Sequence, residues 1–418
     1  MAITGPDGAT LASFSQWRFD RQILIDVMND VQPGESIHDT AGAFCGAVAA
    51  MDGIHGVMLL VRQGDGSLRW AGGGGACAAV DGEAGFLPVD VARRFLDAGG
   101  EGPWNVDMAP STSSDFALEL SQCLRVEGLS AAGVTPVRWG GNSIGALVLA
   151  TGEAGGRDRM ASRLEVIEQL GSFAGSLMGR QAIEHVHQDD IRREVLDVMH
   201  NNRFHPVFQP VIETTSGRIA GYEALTRFDD GCRPDVRVAQ AHAVGLGPAF
   251  EAHLAATAVQ IARGLPPDVW LGLNFSAEAI LEGFATPVVT KANRAIVIEI
   301  TEHAPIDSYP DVRHAITQGG DVLLSVDDAG AGFASLLHVL ELDPDIVKLD
   351  IGLIRGIDAD PARQALAAGM CHFAHNTGTT LIAEGVETEG EADTVRELGV
   401  ELAQGYLFGR PEILVVSG

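Results

Sequence analysis

From Phe204 onward the chain is a succession of repeated units, and that alternation restricts its fold more than any other feature. Eight short runs read as strands: PVFQPVIE, IAGYEALTR, VWLGLNFS, AIVIEITE, VLLSVDDA, DIVKLD, TTLIAEGVE and LAQGYLFG. Helix-like stretches such as EAHLAATAVQIARGL and EGEADTVRELGV separate most of them. Short apolar strands alternating with helices point to parallel βα units. Eight strands in about 215 residues fit an α/β fold, a (β/α)8 barrel of the TIM type, whose chemistry gathers at the C-terminal ends of the strands. Only the turn TTSG separates the first two runs, so these should pair as a hairpin and the barrel should be modified at its start.

Polar residues recur where these strands end. Glu223 stands in GYEAL, Asn274 in LGLNFS and Glu299 in IVIEITE. Asp327 and Asp328 close LLSVDD, Lys348 and Asp350 close IVKLD, Glu384 follows TLIA and Gln404 opens QGYLFG. From Asn274 the successive intervals are 25, 28, 21, 36 and 20 residues, about one βα unit each, so a barrel brings them to one rim. Several carboxylates converging there repel one another unless cations neutralise them. The candidate ligands are all oxygens, with no cysteine or histidine among them, which matches hard divalent ions and not zinc. Adjacent carboxylates suit two ions that activate water against a phosphoryl group.

The ordered motifs FQPVIETTSGRIAGYEALTRF, NFS, IEITE, DDAGAGFASL, VKLD, AEGVET and QGYLFGRP resemble those of the EAL family of cyclic di-GMP phosphodiesterases, over about 204–412. The resemblance implies that Glu223, Asn274, Glu299 and Asp327 hold metal, Mg²⁺ or Mn²⁺, and that Asp328 serves a second ion. It places Lys348 near the water and phosphate with Asp350 beside it, and links Glu384 to the metal-site water. Gln404 completes the site, Glu302 braces the loop after Asp328, and Arg227 and Gln209 face the substrate. The implied reaction opens one phosphodiester of cyclic di-GMP to give linear pGpG. Where that family reads DFGTGYSS after the first aspartate of the pair, this chain has DAGAGFAS, with Ala329, Ala331, Phe333 and Ala334 as the departures. Loss of a metal ligand usually marks silent members, and none is lost here. The rival reading, a catalytically silent receptor for cyclic di-GMP or a protein-interaction module, rests on that loop alone.

The first half reads differently. GAFCGAVAAM looks like a helix, GVMLLVRQGDGSLRWAGGGG like two strands about GDGS, and LSAAGVTPVRWGGNSIGALVLATG like a hairpin turning at GGNS. This stretch resembles a GAF domain, an α+β sensory module. The implied division is a lead over 1–21, a GAF-like domain over 22–180, a helical linker over 181–203 and the EAL domain over 204–418. A GAF fold implies a pocket for a small-molecule ligand over the sheet, or one closed by its own side chains. Met160, Leu164, Ile167, Gly171, Ala174 and Met178 recur at helical seam spacing, which fits either a helix lying on its own domain or one paired with its copy in a homodimer. GGGG at 72–75 lacks the GK[ST] of a phosphate loop. HVH at 185–187 and CHFAH at 371–375 have metal-like spacing, but packed or surface histidines are the better expectation.

Charge bounds the partners. With 28 basic against 56 acidic residues the chain carries a net charge of −28, which disfavours wrapping long nucleic acid. The 5 cysteines form no CxxC pair, as expected in a reducing compartment. No signal peptide or apolar span is legible, so the expectation is a cytoplasmic protein without membrane insertion.

Overall fold

The structure, a computed structural model, describes residues 24–78, 85–97, 102–108, 128–300, 306, 308–317, 322–329 and 333–414. It divides into two compact units, Met1–Asp190 and Ile191–Gly418. Among the described residues, no helix is long and apolar enough to cross a membrane.

The first unit is built on a six-stranded sheet in the order β3-β2-β1-β6-β5-β4. Its strands are β1 (Gly56–Arg62), β2 (Leu68–Gly75), β3 (Phe86–Leu87), β4 (Trp104–Asp107), β5 (Ala131–Trp139) and β6 (Asn142–Thr151). All pairings are antiparallel. β5 and β6 form the hairpin expected at GGNS, with Gly140 and Gly141 at positive φ in the two-residue turn. Six of the seven residues of β1 are buried because both faces are covered. Val57, Leu59 and Val61 join a core with Phe44 and Ile167, while Met58 and Leu60 join Phe95 and Leu87 on the other face.

Helix α1 (Ile37–Ala49) begins at Ser36, which forms a capping box with Asp39. It lies directly on β2, and this explains the glycine run. A Cβ on Gly72 would collide with the backbone of Ala41, and one on Gly74 with the carbonyl of Cys45. Gly72 and Gly74 are thus a helix-packing surface, while Gly73 and Gly75 lie against the backbone of Cys77 and His55. Helix α2 (Val89–Asp97) buries Val91, Ala92 and Phe95 on the opposite face. After α3 (Gly156–Ser162), helix α4 runs from Leu164 to Asn201. Met160, Ile167, Ala174 and Met178 are buried in the first unit's own core, and a Cβ on Gly171 would meet Thr135 of β5. The seam is therefore spent on the unit's own sheet and is not left open for a second copy.

The second unit is a closed barrel in the order β10-β11-β12-β13-β14-β7-β8-β9. Its strands are β7 (Phe204–Glu213), β8 (Ile219–Phe228), β9 (Trp270–Phe275), β10 (Ile296–Ile300), β11 (Val322–Ala329), β12 (Ile346–Leu349), β13 (Thr380–Ala383) and β14 (Leu402–Gln404). β7 pairs antiparallel with both β8 and β14, as its short hairpin turn requires, and the other pairings are parallel. Helices including α5 (Pro234–Ala243), α6 (Gly247–Ile261), α7 (Ala277–Leu281), α8 (Tyr309–Thr317), α9 (Phe333–Leu342), α10 (Pro361–Thr377) and α11 (Glu389–Leu398) separate the strands. The main apolar core lies between strands and helices, with Ile296, Ile298 and Leu349 among its members.

A second, small cluster of Val211, Val297, Ile346, Ile382 and Leu402 comes from alternate strand positions. Side chains two apart on a strand share a face. Two residues from these five stand Gln209, Glu299, Lys348, Glu384 and Gln404. On four of the strands the polar residue comes later in sequence. On β7, which runs the other way, it comes earlier. The reversed strand thus delivers its glutamine to the same end of the barrel.

Candidate active site

At that end an ammonium is buried among carboxylates. Lys348, 1% exposed, has its Nζ 2.8 Å from Glu299 Oε2, 2.8 Å from Glu384 Oε1, 3.3 Å from Asp327 Oδ1 and 3.5 Å from Glu223 Oε2. Gln404 Nε2 donates to Glu223 Oε2 at 2.7 Å and to Gln209 Oε1 at 3.0 Å, and Asn274 Nδ2 donates to Glu223 Oε1 at 3.3 Å. Gln209 Nε2 in turn donates to the Gly409 carbonyl. Seven strands, β7 to β10 and β12 to β14 with the residue after β13, thus meet in one hydrogen-bonded network, and Asp327 adds an eighth from β11.

The charges do not balance. Four carboxylates face one ammonium, and two carboxylates about 5 Å apart repel by roughly 3 kcal/mol at an effective dielectric of about 20. Burial opposes the charge of Glu223, but Lys348, Gln404 and Asn274 outweigh it and hold its carboxyl below the ordinary value. Burial pushes Glu299 well above its ordinary value; Lys348 opposes this, and the charges of Glu223 and Asp327 add to it. Glu384 is pushed up to about 8 by burial, against Lys348 and with Asp327 and Glu223. For Lys348 burial acts to lower the value, yet the surrounding carboxylates raise it well above that of a free lysine. The ammonium is a fixed positive charge, and the cluster around it still carries surplus negative charge.

That surplus tests the fit of a divalent ion. The donor set, four carboxylates and an amide, is the oxygen chemistry of Mg²⁺ or Mn²⁺, and more positive charge is what its electrostatics lack. In the geometry present, the carboxylates close on the ammonium. Among the described residues no group of three or more His, Cys, Asp or Glu stands arranged to hold a metal ion. The histidines of HVH and CHFAH accordingly form no such group either.

The remaining expected residues lie elsewhere. Asp350 turns to its own backbone, accepting from Gly352 N at 2.8 Å as the cap of a single helical turn. Arg227 lies four residues beyond Glu223 on the same face of β8; it is exposed and donates to the Thr226 carbonyl. Asp328 is on β11, and Glu302 lies outside the described residues, as do Gly330, Ala331 and Gly332 of the altered loop.

Two supports escaped the motif reading. Gly272 pairs with Glu223 across β8 and β9, and a Cβ there would collide with Glu299 Oε1, so this glycine makes the space that Glu299 occupies. Its signal was a glycine inside a strand pattern. Glu251 of α6, 6% exposed, accepts from Ser276 N at 2.8 Å and Ser276 Oγ at 2.9 Å, tying down the chain just past Asn274. No local pattern marks that long-range contact.

Comparison with known proteins is consistent with this geometry. The family described as EAL domain matches residues 188–411. The cyclic di-GMP phosphodiesterase PdeL of Escherichia coli (strain K12) is 26% identical over 265 residues, covering 59% of this chain and 72% of that protein. The probable cyclic di-GMP phosphodiesterase PdeG of the same strain is 26% identical over 255 residues, covering 57% of this chain but only 50% of PdeG. A solved structure of the EAL enzyme Bd1971, in a cAMP- and cyclic-di-GMP-bound form, is similar with a TM-score of 0.50 at 19% identity, over 86% of this chain and 91% of that one. That last likeness is one of fold.

Proposed function

Because the chain belongs to the EAL domain family, we propose that it hydrolyses cyclic di-GMP to linear pGpG in a divalent-metal-dependent reaction. The observation that carries this reading is the convergence of Glu223, Glu299, Asp327 and Glu384 on the buried Lys348, in a ring of oxygens with surplus negative charge. Glu223, Asn274, Glu299 and Asp327 would hold one ion, and Asp328 would serve a second. Mg²⁺ or Mn²⁺, when bound, supplies the positive charge that offsets the phosphodiester and acidifies water. Lys348 keeps its proton and offers a fixed charge to a phosphate oxygen. Gln404 and Gln209 orient Glu223 through the hydrogen bonds already in place. Arg227, exposed on the face of β8 that carries Glu223, would take a substrate phosphate through its guanidinium fork.

The first unit we read as a GAF-like module, supported by its antiparallel sheet with helices on both faces, and we take the barrel domain as 204–418. A receptor that binds cyclic di-GMP without cleaving it is the second reading. It is favoured by the altered loop after Asp327, where Ala329, Ala331, Phe333 and Ala334 are the departures from the family's sequence. The test is incubation of the full chain with cyclic di-GMP and Mg²⁺ or Mn²⁺, followed by chromatography, alongside Glu223→Ala. The expected outcome is pGpG from the wild type and none from the variant. Tight binding of intact dinucleotide under both metals would give the receptor reading the field.

A further inference from the structure

The first unit carries an open cleft of about 320 Å³, and its lining is unusual for so acidic a chain. Arg62 at the end of β1, Arg93 on α2 and Arg138 near the end of β5 all line it. The local reasons are plain. α2 turns Val91, Ala92 and Phe95 into the core, which leaves Arg93 on the outer face. Arg138 sits where the register of β5 against β6 shifts, just before the hairpin turn. Three separate elements thus bring three arginines to one hollow.

Elsewhere in the molecule arginines find carboxylates: Arg159 pairs with Glu153, Arg203 with Asp197, and Arg237 with Glu194 and Asp230. Among the described residues Arg62, Arg93 and Arg138 make no such ion pair. Three arginines against two aspartates, Asp65 and Asp97, leave the hollow a net positive charge, which an anion would offset. The planar guanidinium fork matches carboxylate and phosphate oxygens in pairs. The volume falls at the small end of the roughly 300–1,000 Å³ range of small-molecule sites. Leu96 and Pro136 give it an apolar wall, and Asp97 adds an acceptor, while Asp65 already accepts from Ser67 N.

We propose that this cleft binds a small organic oxyanion, held by Arg62, Arg93 and Arg138, whose body carries an N–H or O–H donor for Asp97. The site is independent of the barrel chemistry and stands or falls without it. Three probes separate its elements by isothermal titration calorimetry on the full chain: adenosine 5′-monophosphate as a phosphate ester, citrate as a carboxylate, and adenosine as a body without the anion. At least one of the two anions is expected to bind with a Kd below about 1 mM, and which one binds distinguishes ester from carboxylate. Arg93→Ala and Arg138→Ala should each weaken that binding at least about tenfold with the melting temperature unchanged, since both side chains are exposed. Arg69→Ala, whose guanidinium lies over Phe86 and does not line the cleft, should leave it intact. The proposal is overturned if neither anion binds at about 10 mM, if adenosine binds as well as its phosphate, or if both cleft variants bind as the wild type does.

Discussion

Lys348 holds the barrel end together by charge. Breaking a buried ion cluster by removing one partner typically costs about 3–5 kcal/mol, because the opposite charges stay behind in low dielectric. Lys348→Met, in protein treated with chelator, should therefore lower the unfolding free energy by about that much in urea. An unchanged midpoint would mean that the carboxylates simply take up protons when the ammonium is gone. Gly272 acts by absence: a methyl group there would take the place of Glu299 Oε1. Gly272→Ala should cut turnover of cyclic di-GMP about 10- to 100-fold while leaving the circular dichroism spectrum intact, since misplacing one reacting group by an ångström is enough. Cys45 and Cys77 of the first unit are inert by the same physics of burial. Burial, with the nearby Cys77, pushes Cys45 far above an ordinary thiol, and burial pushes Cys77 up to about 11. Neither presents much thiolate at pH 7, so iodoacetamide mapped by mass spectrometry should label the half-exposed Cys232 before either of them.

At the scale of elements, helix starts and helix packing matter most. α11 begins with a capping box in which Thr388 accepts from Glu391 N, while the Glu391 carboxylate accepts from the amides of Thr388, Glu387 and Gly356. Burial opposes that charge, but the amide donors outweigh it and hold the carboxyl below its ordinary value of 4.5. A carboxyl lowered on folding stabilises the native state above its unfolded value, and the gain is lost as pH falls through the folded value. Glu391→Gln should thus cost about 1–2 kcal/mol at pH 7 and progressively less as pH drops below 4.5. Equal costs at both ends of the titration would show that the contact is one of shape and not of charge. The glycines of β2 belong to the same scale. Their spacing was legible as a break in strand chemistry, but that α1 rests on them depends on a partner segment lying about 30 residues earlier in sequence.

At the scale of the molecule, each unit encloses its own apolar cores, so the fragment Ile191–Gly418 should fold alone and melt cooperatively. A molten fragment, binding hydrophobic dye without a transition, would show that the barrel depends on the residues before it. The eight strands, their hairpin start and the position of the polar rim were all written locally. Period-two alternation sets which side chains face inward, and βα spacing sets how often a strand ends. Glu223, Glu299, Asp327 and Glu384 were therefore identifiable as neighbours from the chain alone. What the chain could not reveal is that Lys348 stands at their centre, while Asp350 turns away to cap its own loop. Nor could it reveal that the helix seam around Ile167 would be used up by its own sheet. Local pattern specifies the face on which a residue lies. Only closure of the barrel and packing of the sheet determine what that face meets, because those contacts join segments that share no sequence neighbourhood.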